Sequence, residues 1–185
     1  MATQPDYPLL TAEEFLRFDF GDLKAELDNG VIRMMAGGSR RHARVQSNII
    51  IALGPKLRGS GCAPYGPYMA ARTRERSIRY PDVSVYCGHE EREDDGQLSA
   101  DDPRVVFEVL SAGTARTDLR VKLEEYKELD SIDTVVFVDI ANEQLRVVQR
   151  IAPKGWSDVT YQEATCLKLP SLGIDLDHDE IFARD

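Results

Sequence analysis

Two acidic residues lie inside apolar, strand-like runs of this 185-residue sequence. Asp82 begins the run Asp-Val-Ser-Val-Tyr, and Glu108 lies within Val-Val-Phe-Glu-Val-Leu. An ionised carboxylate in such surroundings is costly unless it is paired or binds a metal. If the runs form an antiparallel pair with Ser84 opposite Val106, Asp82 faces Glu108, and their Cβ atoms are about 5 Å apart. Two carboxylates at that separation repel each other unless a cation lies between them.

This register predicts a site for a hard divalent cation. Mg²⁺ typically binds through one or two carboxylates plus water, so Asp82 and Glu108 are the predicted ligands. The alternative interpretation pairs each acid with a nearby arginine, such as Arg79 or Arg104.

Three further residues are candidates for the same site, each with a simpler alternative. Glu26 lies in a predicted hairpin strand, as a third carboxylate or as an exposed polar residue. Lys122 lies on the helix that follows the Glu108 strand, where it could reach a phosphate or could remain solvated. His42 lies on the first turn of a helix, where phosphate binding is plausible. A surface histidine is the equally plausible alternative there.

The net charge of −9 argues at first sight against a polyanionic partner, but the charge is unevenly distributed. Residues 31–80 contain 10 basic side chains and 1 acidic one, which leaves 13 basic and 31 acidic side chains elsewhere. A basic face on an acidic body is compatible with nucleic acid. Arginines that merely decorate a helix and an edge strand would give the same count.

Short helices and strands must position these residues. Thr11 and Ser39 are predicted to cap two helices, the second ending near Leu57, and a third helix is predicted over 117–129. A hairpin turns at 28–30, and a polar, mobile surface loop is expected over 90–102. Further strands are predicted at 68–73, 82–86, 105–110, 134–139, 145–151, 159–161 and 166–169. The pattern indicates one mixed α/β domain over residues 1–185.

The composition favours a soluble cytoplasmic protein. No apolar run approaches the roughly 20 residues that span a bilayer, and the first residues do not form a secretory signal. The three cysteines, Cys62, Cys87 and Cys166, are odd in number and widely spaced. They fit neither a disulfide framework nor a metal knuckle, which agrees with a reducing compartment.

Taken together, these segments resemble the Uma2 family, which belongs to the PD-(D/E)XK, restriction-endonuclease-like superfamily. The resemblance rests on the order and spacing of segments along nearly the whole chain. They are Lys-Ala-Glu-Leu-Asp-Asn-Gly at 24–30, Arg-His at 41–42, Pro-Asp-Val-Ser-Val at 81–85, Phe-Glu-Val-Leu-Ser at 107–111, Thr-Ala-Arg-Thr-Asp at 114–118, Lys-Leu-Glu-Glu-Tyr at 122–126, Leu-Pro-Ser-Leu-Gly-Ile-Asp-Leu at 169–176 and Ile-Phe at 181–182.

The resemblance implies a restriction-endonuclease-like α/β core, with a central mixed sheet flanked by helices. It also implies that Asp82 and Glu108 are the family's paired acids and that Glu26 is a further catalytic and metal-binding residue. The superfamily's lysine normally stands two residues after the second acid, where this chain has Leu110. Lys122 looks like its migrated replacement.

The implied activity is hydrolysis of phosphodiester bonds in nucleic acid, DNA rather than RNA, with Mg²⁺ or Mn²⁺. The residues expected to contact the nucleic acid are Arg40, Arg41, His42, Arg44, Arg72 and Arg74. A homodimer and the absence of membrane contact are also expected. Two other classes of protein stay open, because fold does not fix function: a catalytically inactive nucleic-acid-binding module and a regulatory protein-interaction domain.

Overall fold

A six-stranded mixed sheet forms the centre of the molecule, and a second, five-stranded sheet lies beside it. The computed structural model describes residues 8–35, 37–88, 99–100, 102–110 and 116–184. The helices are α1 (Ala12–Leu16), α2 (Arg40–Leu57), α3 (Arg116–Glu128) and α4 (His178–Phe182). The strands are β1 (Ala25–Asp28), β2 (Val31–Met34), β3 (Cys62–Tyr65), β4 (Ala70–Arg74), β5 (Ser77–Arg79), β6 (Val83–Cys87), β7 (Ser99–Ala100), β8 (Val105–Leu110), β9 (Thr134–Asp139), β10 (Gln144–Ala152), β11 (Gly155–Tyr161), β12 (Cys166–Leu169) and β13 (Ile174–Asp177).

The predicted helix starts are confirmed. Thr11 caps α1 with a reciprocal capping box to Glu14, and the Ser39 hydroxyl accepts a hydrogen bond from the His42 backbone N–H at the start of α2. Each cap satisfies backbone donors that the first turn of a helix leaves unpaired. The cap at Ser39 therefore fixes where α2 begins, and with it the position of His42.

The six-stranded sheet has the order β11-β10-β9-β8-β6-β3. Its β8 and β9 strands run parallel, and its other neighbouring strands are antiparallel. Ser84 of β6 lies opposite Val106 of β8, which is the register predicted from the sequence. Asp82 directly precedes β6, so this register brings it to the part of β8 that carries Glu108.

Two helices cover the two faces of this sheet. The α2 side chains Val45 and Ile49 pack in one core cluster with Phe107 and Val109 of β8. On the opposite face, Val106 packs with apolar side chains of α3. Because successive strand residues point to opposite faces, Glu108 shares the face of Val106 and points toward α3.

The five-stranded sheet has the order β2-β1-β5-β4-β7. It carries Glu26 on β1 and Arg79 on β5, and Leu27 pairs with Ile78 between these two strands. Short strands such as β3, β5 and β13 were not predicted. The predicted surface loop over 90–102 lies outside the described residues apart from 99–100 and 102.

The interpretation that the cysteines are unpaired is wrong for two of them. Cys62 and Cys87 form a disulfide, because β3 and β6 pair with these two residues directly opposite each other. Cys166 is free and exposed. The cysteine count therefore gives no support to a reducing compartment. Within the described ranges, no helix is long and apolar enough to cross a membrane.

Candidate active site

Glu108 lies in the buried part of β8 and faces α3. Its side chain is 6% exposed, and its Oε1 accepts a hydrogen bond from the Tyr126 hydroxyl at 2.6 Å. Lys122 Nζ lies 3.7 Å from the same oxygen. Burial raises the pKa of Glu108 to about 7; the Lys122 ammonium opposes this rise, and the charges of Asp82 and Glu26 reinforce it. The site thus holds a carboxyl group that is unfavourable as an anion without a nearby cation.

The Tyr126 hydroxyl holds the Glu108 carboxylate through a hydrogen bond. Burial raises the pKa of the Tyr126 hydroxyl well above its ordinary value, and the charge of Glu108 raises it further. The hydroxyl therefore stays protonated and acts as a donor to Glu108. A fixed donor holds the carboxylate in one orientation, and Lys122 approaches the same oxygen, Oε1.

Asp82 lies immediately before β6 and is held by both neighbouring elements. Its Oδ2 accepts a hydrogen bond from the Val109 backbone N–H at 2.7 Å, which ties it to β8. Gln46 of α2 donates to the Asp82 backbone oxygen at 2.7 Å. Asp82 Oδ1 lies 3.3 Å from His42 Nε2. These contacts fix the carboxylate beside the Glu108 strand.

His42 lies next to Asp82, on the first turn of α2. The hydrogen bond to Asp82 raises the pKa of His42, although partial burial opposes the rise, and the Asp82 charge and the Val109 backbone add to it. The structure therefore brings His42 into the cluster, where the sequence left a surface histidine open as an alternative.

The interpretation that arginines neutralise the two acids does not match the ion pairs among the described residues. Arg104 pairs with Asp133 at 2.9 Å, and Arg79 pairs with Glu26, Asp28 and Glu125. Among the described residues, the basic side chains that contact Asp82 and Glu108 are His42 and Lys122 instead.

Lys122 is a buried lysine rather than a solvated one. Its side chain is 7% exposed, and its Nζ donates to Glu26 Oε1 at 2.9 Å. Leu123 and Tyr126 of the same helix pack against the six-stranded sheet. Lys122 directly precedes Leu123 on α3, so its side chain extends into the space between the two sheets, where Glu26 and Glu108 lie.

Glu26 is also buried, so the interpretation that it is an exposed polar residue is wrong. Its Oε1 accepts from the Tyr80 backbone N–H at 3.1 Å and from Lys122. Its Oε2 lies 3.4 Å from Arg79 Nη1. Both oxygens are thus engaged by protein donors, and Glu26 fixes the position of the Lys122 ammonium. Direct metal binding by Glu26 stays a prediction.

A second network of buried polar side chains, which the sequence did not predict, contacts Glu26 through Arg79. Arg79 is fully buried and donates to both carboxylate oxygens of Glu125, at 2.7 Å each. Thr73 also donates to Glu125, at 2.8 Å. Burial alone would lower the pKa of Arg79, but the neighbouring carboxylates of Glu125, Glu26 and Asp28 have the larger effect and raise it. The only sequence signal was the position of Glu125 one turn after Lys122 on the predicted helix.

The carboxylate oxygens of Asp82 and Glu108 are suitable ligands for a divalent cation that binds few protein groups. Over the ranges that the structure covers, no three or more His, Cys, Asp or Glu side chains are grouped so that they could hold a metal. Two carboxylates completed by water are, however, a common ligand set for Mg²⁺. A bound cation would stabilise the ionised form of Glu108 in particular, because this carboxyl group is buried and lies close to two other acids. Metal binding by this pair stays a prediction.

The predicted nucleic-acid contacts separate into two groups. Arg40, Arg41 and Arg44 of α2 line a groove of about 390 Å³ together with Arg184, which the sequence did not point to. Glu143 accepts from Arg41 at 2.7 Å and from Arg184 at 2.5 Å. This groove begins beside His42 on the same helix, so the basic surface adjoins the acidic cluster.

The two arginines of β4 are engaged in ion pairs with acids of neighbouring helices. Arg72 pairs with Glu13 of α1. Arg74 donates to both oxygens of Glu128 at the end of α3, at 2.7 and 2.5 Å. Because β4 lies between β5 and β7 in the five-stranded sheet, the interpretation that these arginines decorate an edge strand does not match the strand order. Nucleic-acid binding by Arg72 and Arg74 stays a prediction.

The sequence is similar to a family model and to two proteins of a cyanobacterium. The family model described as "Uma2: Putative restriction endonuclease" matches residues 12–178. The uncharacterized protein slr1290 of Synechocystis sp. is 25% identical over 178 residues, which cover 95% of this chain and 93% of that protein. The uncharacterized protein sll1609 of the same organism is 26% identical over 153 residues, which cover 80% and 85%.

A solved structure is similar over nearly its whole length. It is the crystal structure of a putative nuclease belonging to DUF820 from Anabaena variabilis, with a TM-score of 0.77 and 17% identity. The match covers 94% of this chain and 98% of that one. At this identity the likeness shows the fold alone, and it confirms the predicted mixed α/β core with a sheet flanked by helices.

Proposed function

The chain belongs to the Uma2 family, and from that premise we propose that it is a metal-dependent nuclease that hydrolyses phosphodiester bonds in nucleic acid. One observation carries the proposal: three different elements bring Asp82, Glu108 and Lys122 together at the junction of the two sheets. Two neighbouring carboxylates and a buried ammonium are the kinds of group that a metal-assisted phosphodiester hydrolysis uses.

Asp82 and Glu108 are the residues that would hold Mg²⁺ or Mn²⁺. When bound there, the ion would supply Lewis-acid polarisation of a phosphate and stabilise the charge that develops on its oxygens. The protein supplies the fixed ligand positions: the Val109 backbone N–H holds Asp82, and the Tyr126 hydroxyl holds Glu108. Fixed ligands need no reorganisation when the substrate arrives.

Lys122 would stabilise the negative charge that develops on the phosphoryl group or orient the attacking water. Its ammonium donates to Glu26 and stands 3.7 Å from Glu108, so it lies beside one of the two proposed metal ligands without being a ligand itself. Glu26 acts here as a positioning residue, and the buried Arg79–Glu125 pair keeps Glu26 in place. Lys122 takes the role that Leu110 cannot take, because leucine carries no charge.

The arginine groove on α2 would contact the phosphate backbone without reading its sequence. Of the four arginines that line the groove, Arg41 and Arg184 contact the Glu143 carboxylate, and no ion pair among the described residues neutralises Arg40 or Arg44, so the groove keeps an excess of positive charge. Binding of this kind weakens steeply as salt rises, because neutralised phosphates release counterions. That the substrate is DNA rather than RNA, that two copies form a homodimer and that the protein works in the cytoplasm are further parts of this proposal.

Calorimetric titration with Mn²⁺ tests the metal site. Wild-type protein should show saturable binding, and Asp82→Asn and Glu108→Gln should each abolish the binding heat, because each removes one of the two anionic ligands while keeping the side-chain shape. Asp158→Asn is a matched control, since Asp158 lies on an exposed surface of β11 in a pair with Arg146. Unchanged Mn²⁺ binding in both site variants would contradict the assignment.

A further inference from the structure

A pocket of about 400 Å³ opens next to the candidate active site. Three aromatic side chains, Phe20, Tyr68 and Tyr80, line it together with Leu23 and two charged residues, Asp22 and Lys24. Its volume lies in the range typical of small-molecule and cofactor sites, which are concave, largely apolar and carry a few polar groups. The proposed hydrolysis makes no use of this pocket.

The pocket shares its inner boundary with the catalytic cluster. The Tyr80 backbone N–H donates to Glu26 Oε1 at 3.1 Å, and Ala25, which also lines the pocket, directly precedes Glu26. Burial raises the pKa of the Tyr80 hydroxyl, and the Glu26 charge raises it further. A ligand in the pocket therefore lies one residue away from the carboxylate that positions Lys122.

The inner wall of the pocket is packed and the outer wall is open. Phe20 and Tyr80 both pack against the apolar cluster of the five-stranded sheet, and the Phe20 ring centroid lies 5.3 Å from that of Phe15. Tyr68, in contrast, is 82% exposed. Lys24 Nζ lies 3.9 Å from the centroid of its ring, so a cation stands at the mouth of the pocket. An aromatic wall with an adjacent ammonium is complementary to a flat, unsaturated ring attached to a phosphate.

We propose that this pocket binds an unpaired nucleobase of the substrate, stacked on Tyr68 with Lys24 near its phosphate, so that the preferred substrate is single-stranded or locally unpaired nucleic acid. The inference rests on the proposed function and names its substrate class. A base inside a duplex is covered on both faces and cannot enter a pocket of this kind without leaving the stack. Stacking on tyrosine accepts any base, because every base has a π-face. The pocket thus selects for strandedness rather than for sequence.

Fluorescence anisotropy with a labelled 12-residue oligothymidylate and with the same strand paired to oligodeoxyadenylate tests this inference. The full chain carrying Glu108→Gln would be the background, and a gel would confirm that the oligonucleotide stays intact. Tyr68→Ala should weaken single-strand binding roughly 5- to 150-fold, the equivalent of losing one base–aromatic stack. Tyr68→Phe, which keeps the ring, should bind as the background does. Tyr161→Ala is the control, because it removes another partly exposed tyrosine, on β11.

Duplex binding should be weaker than single-strand binding and should not change in Tyr68→Ala. Equal single-strand affinity for Tyr68→Ala and the background would overturn the inference, as would tighter binding of the duplex. In either case, oligonucleotide binding that weakens as salt rises would still agree with the proposed nuclease function. Absence of binding to both oligonucleotides at low salt would contradict the proposed function and the inference together.

Discussion

Replacing Lys122 with methionine should slow cleavage by a factor on the order of 10² to 10³, the cost of removing one fixed electrostatic group from a transition state. Methionine keeps the length and apolar stem of the side chain but removes the ammonium that stands 3.7 Å from Glu108. The measurement is the single-turnover rate at saturating Mn²⁺, with the oligonucleotide labelled at one end. Far-ultraviolet circular dichroism would confirm that the fold persists.

Lys127→Met is the matched control, because Lys127 lies on the same helix in a partly exposed pair with Glu124. This variant should cleave at nearly the wild-type rate. Mn²⁺ titration of Lys122→Met separates two roles of the lysine, since an ammonium group is no metal ligand and its loss should leave Mn²⁺ binding intact. Wild-type cleavage by Lys122→Met would rule out a catalytic role for this residue.

Replacing Arg79 with methionine should lower the free energy of unfolding by about 3–5 kcal/mol, the typical cost of leaving a buried charge without its partner. The Arg79 and Glu125 side chains are 1% and 0% exposed, and two hydrogen bonds of 2.7 Å join them. Without the guanidinium, Glu125 keeps only Thr73 and the more distant Arg74 as polar partners among the described contacts. Urea denaturation followed by circular dichroism measures the change.

Arg146→Met is a control with the same geometry on an exposed surface. Arg146 also donates to both oxygens of one carboxylate, Asp158, at 2.9 and 2.7 Å, but both side chains are about 40% exposed. Arg146→Met should lower the free energy of unfolding by about 1 kcal/mol or less, because water already screens the Arg146–Asp158 pair. The double variant Arg79→Met with Glu125→Leu should recover part of the loss, since it removes both buried charges. Equal effects of Arg79→Met and Arg146→Met would contradict the buried-network account.

Local patterns were sufficient to predict much of the fold. The caps at Thr11 and Ser39 depend on side chains within three residues of the helix start, so they are visible in the sequence. The pairing of β6 with β8 could be predicted because strand residues alternate between faces. Placing the apolar residues of both strands in the core limits the register to steps of two residues. The register assumed for the two acids, with Ser84 opposite Val106, is the one that the structure has.

The features that were missed depend on contacts between distant segments. Arg79 and Glu125 are 46 residues apart, and neither residue type signals burial. The pairing of Cys62 with Cys87 requires strand β3, whose Pro64 and neighbouring glycines indicate a loop instead. The position of Lys122 on the helix after the Glu108 strand made it a candidate, but only the family resemblance favoured a site role over a solvated lysine, because an isolated lysine on an amphipathic helix is usually solvated. The buried ion pairs that hold the site together follow from tertiary packing, which periodicity does not specify.

Hydrolysis of a 5′-labelled single-stranded oligonucleotide in Mn²⁺ tests the central claim most directly, with the wild-type protein and Glu108→Gln purified side by side. The account predicts that the wild type cleaves, that EDTA stops the cleavage, and that Glu108→Gln leaves the oligonucleotide intact while keeping its fold. Glu108→Gln replaces an anionic ligand with a neutral amide of the same shape, so loss of activity would report the chemistry of the site. Cleavage by Glu108→Gln at the wild-type rate, or cleavage that persists in EDTA, would contradict the account.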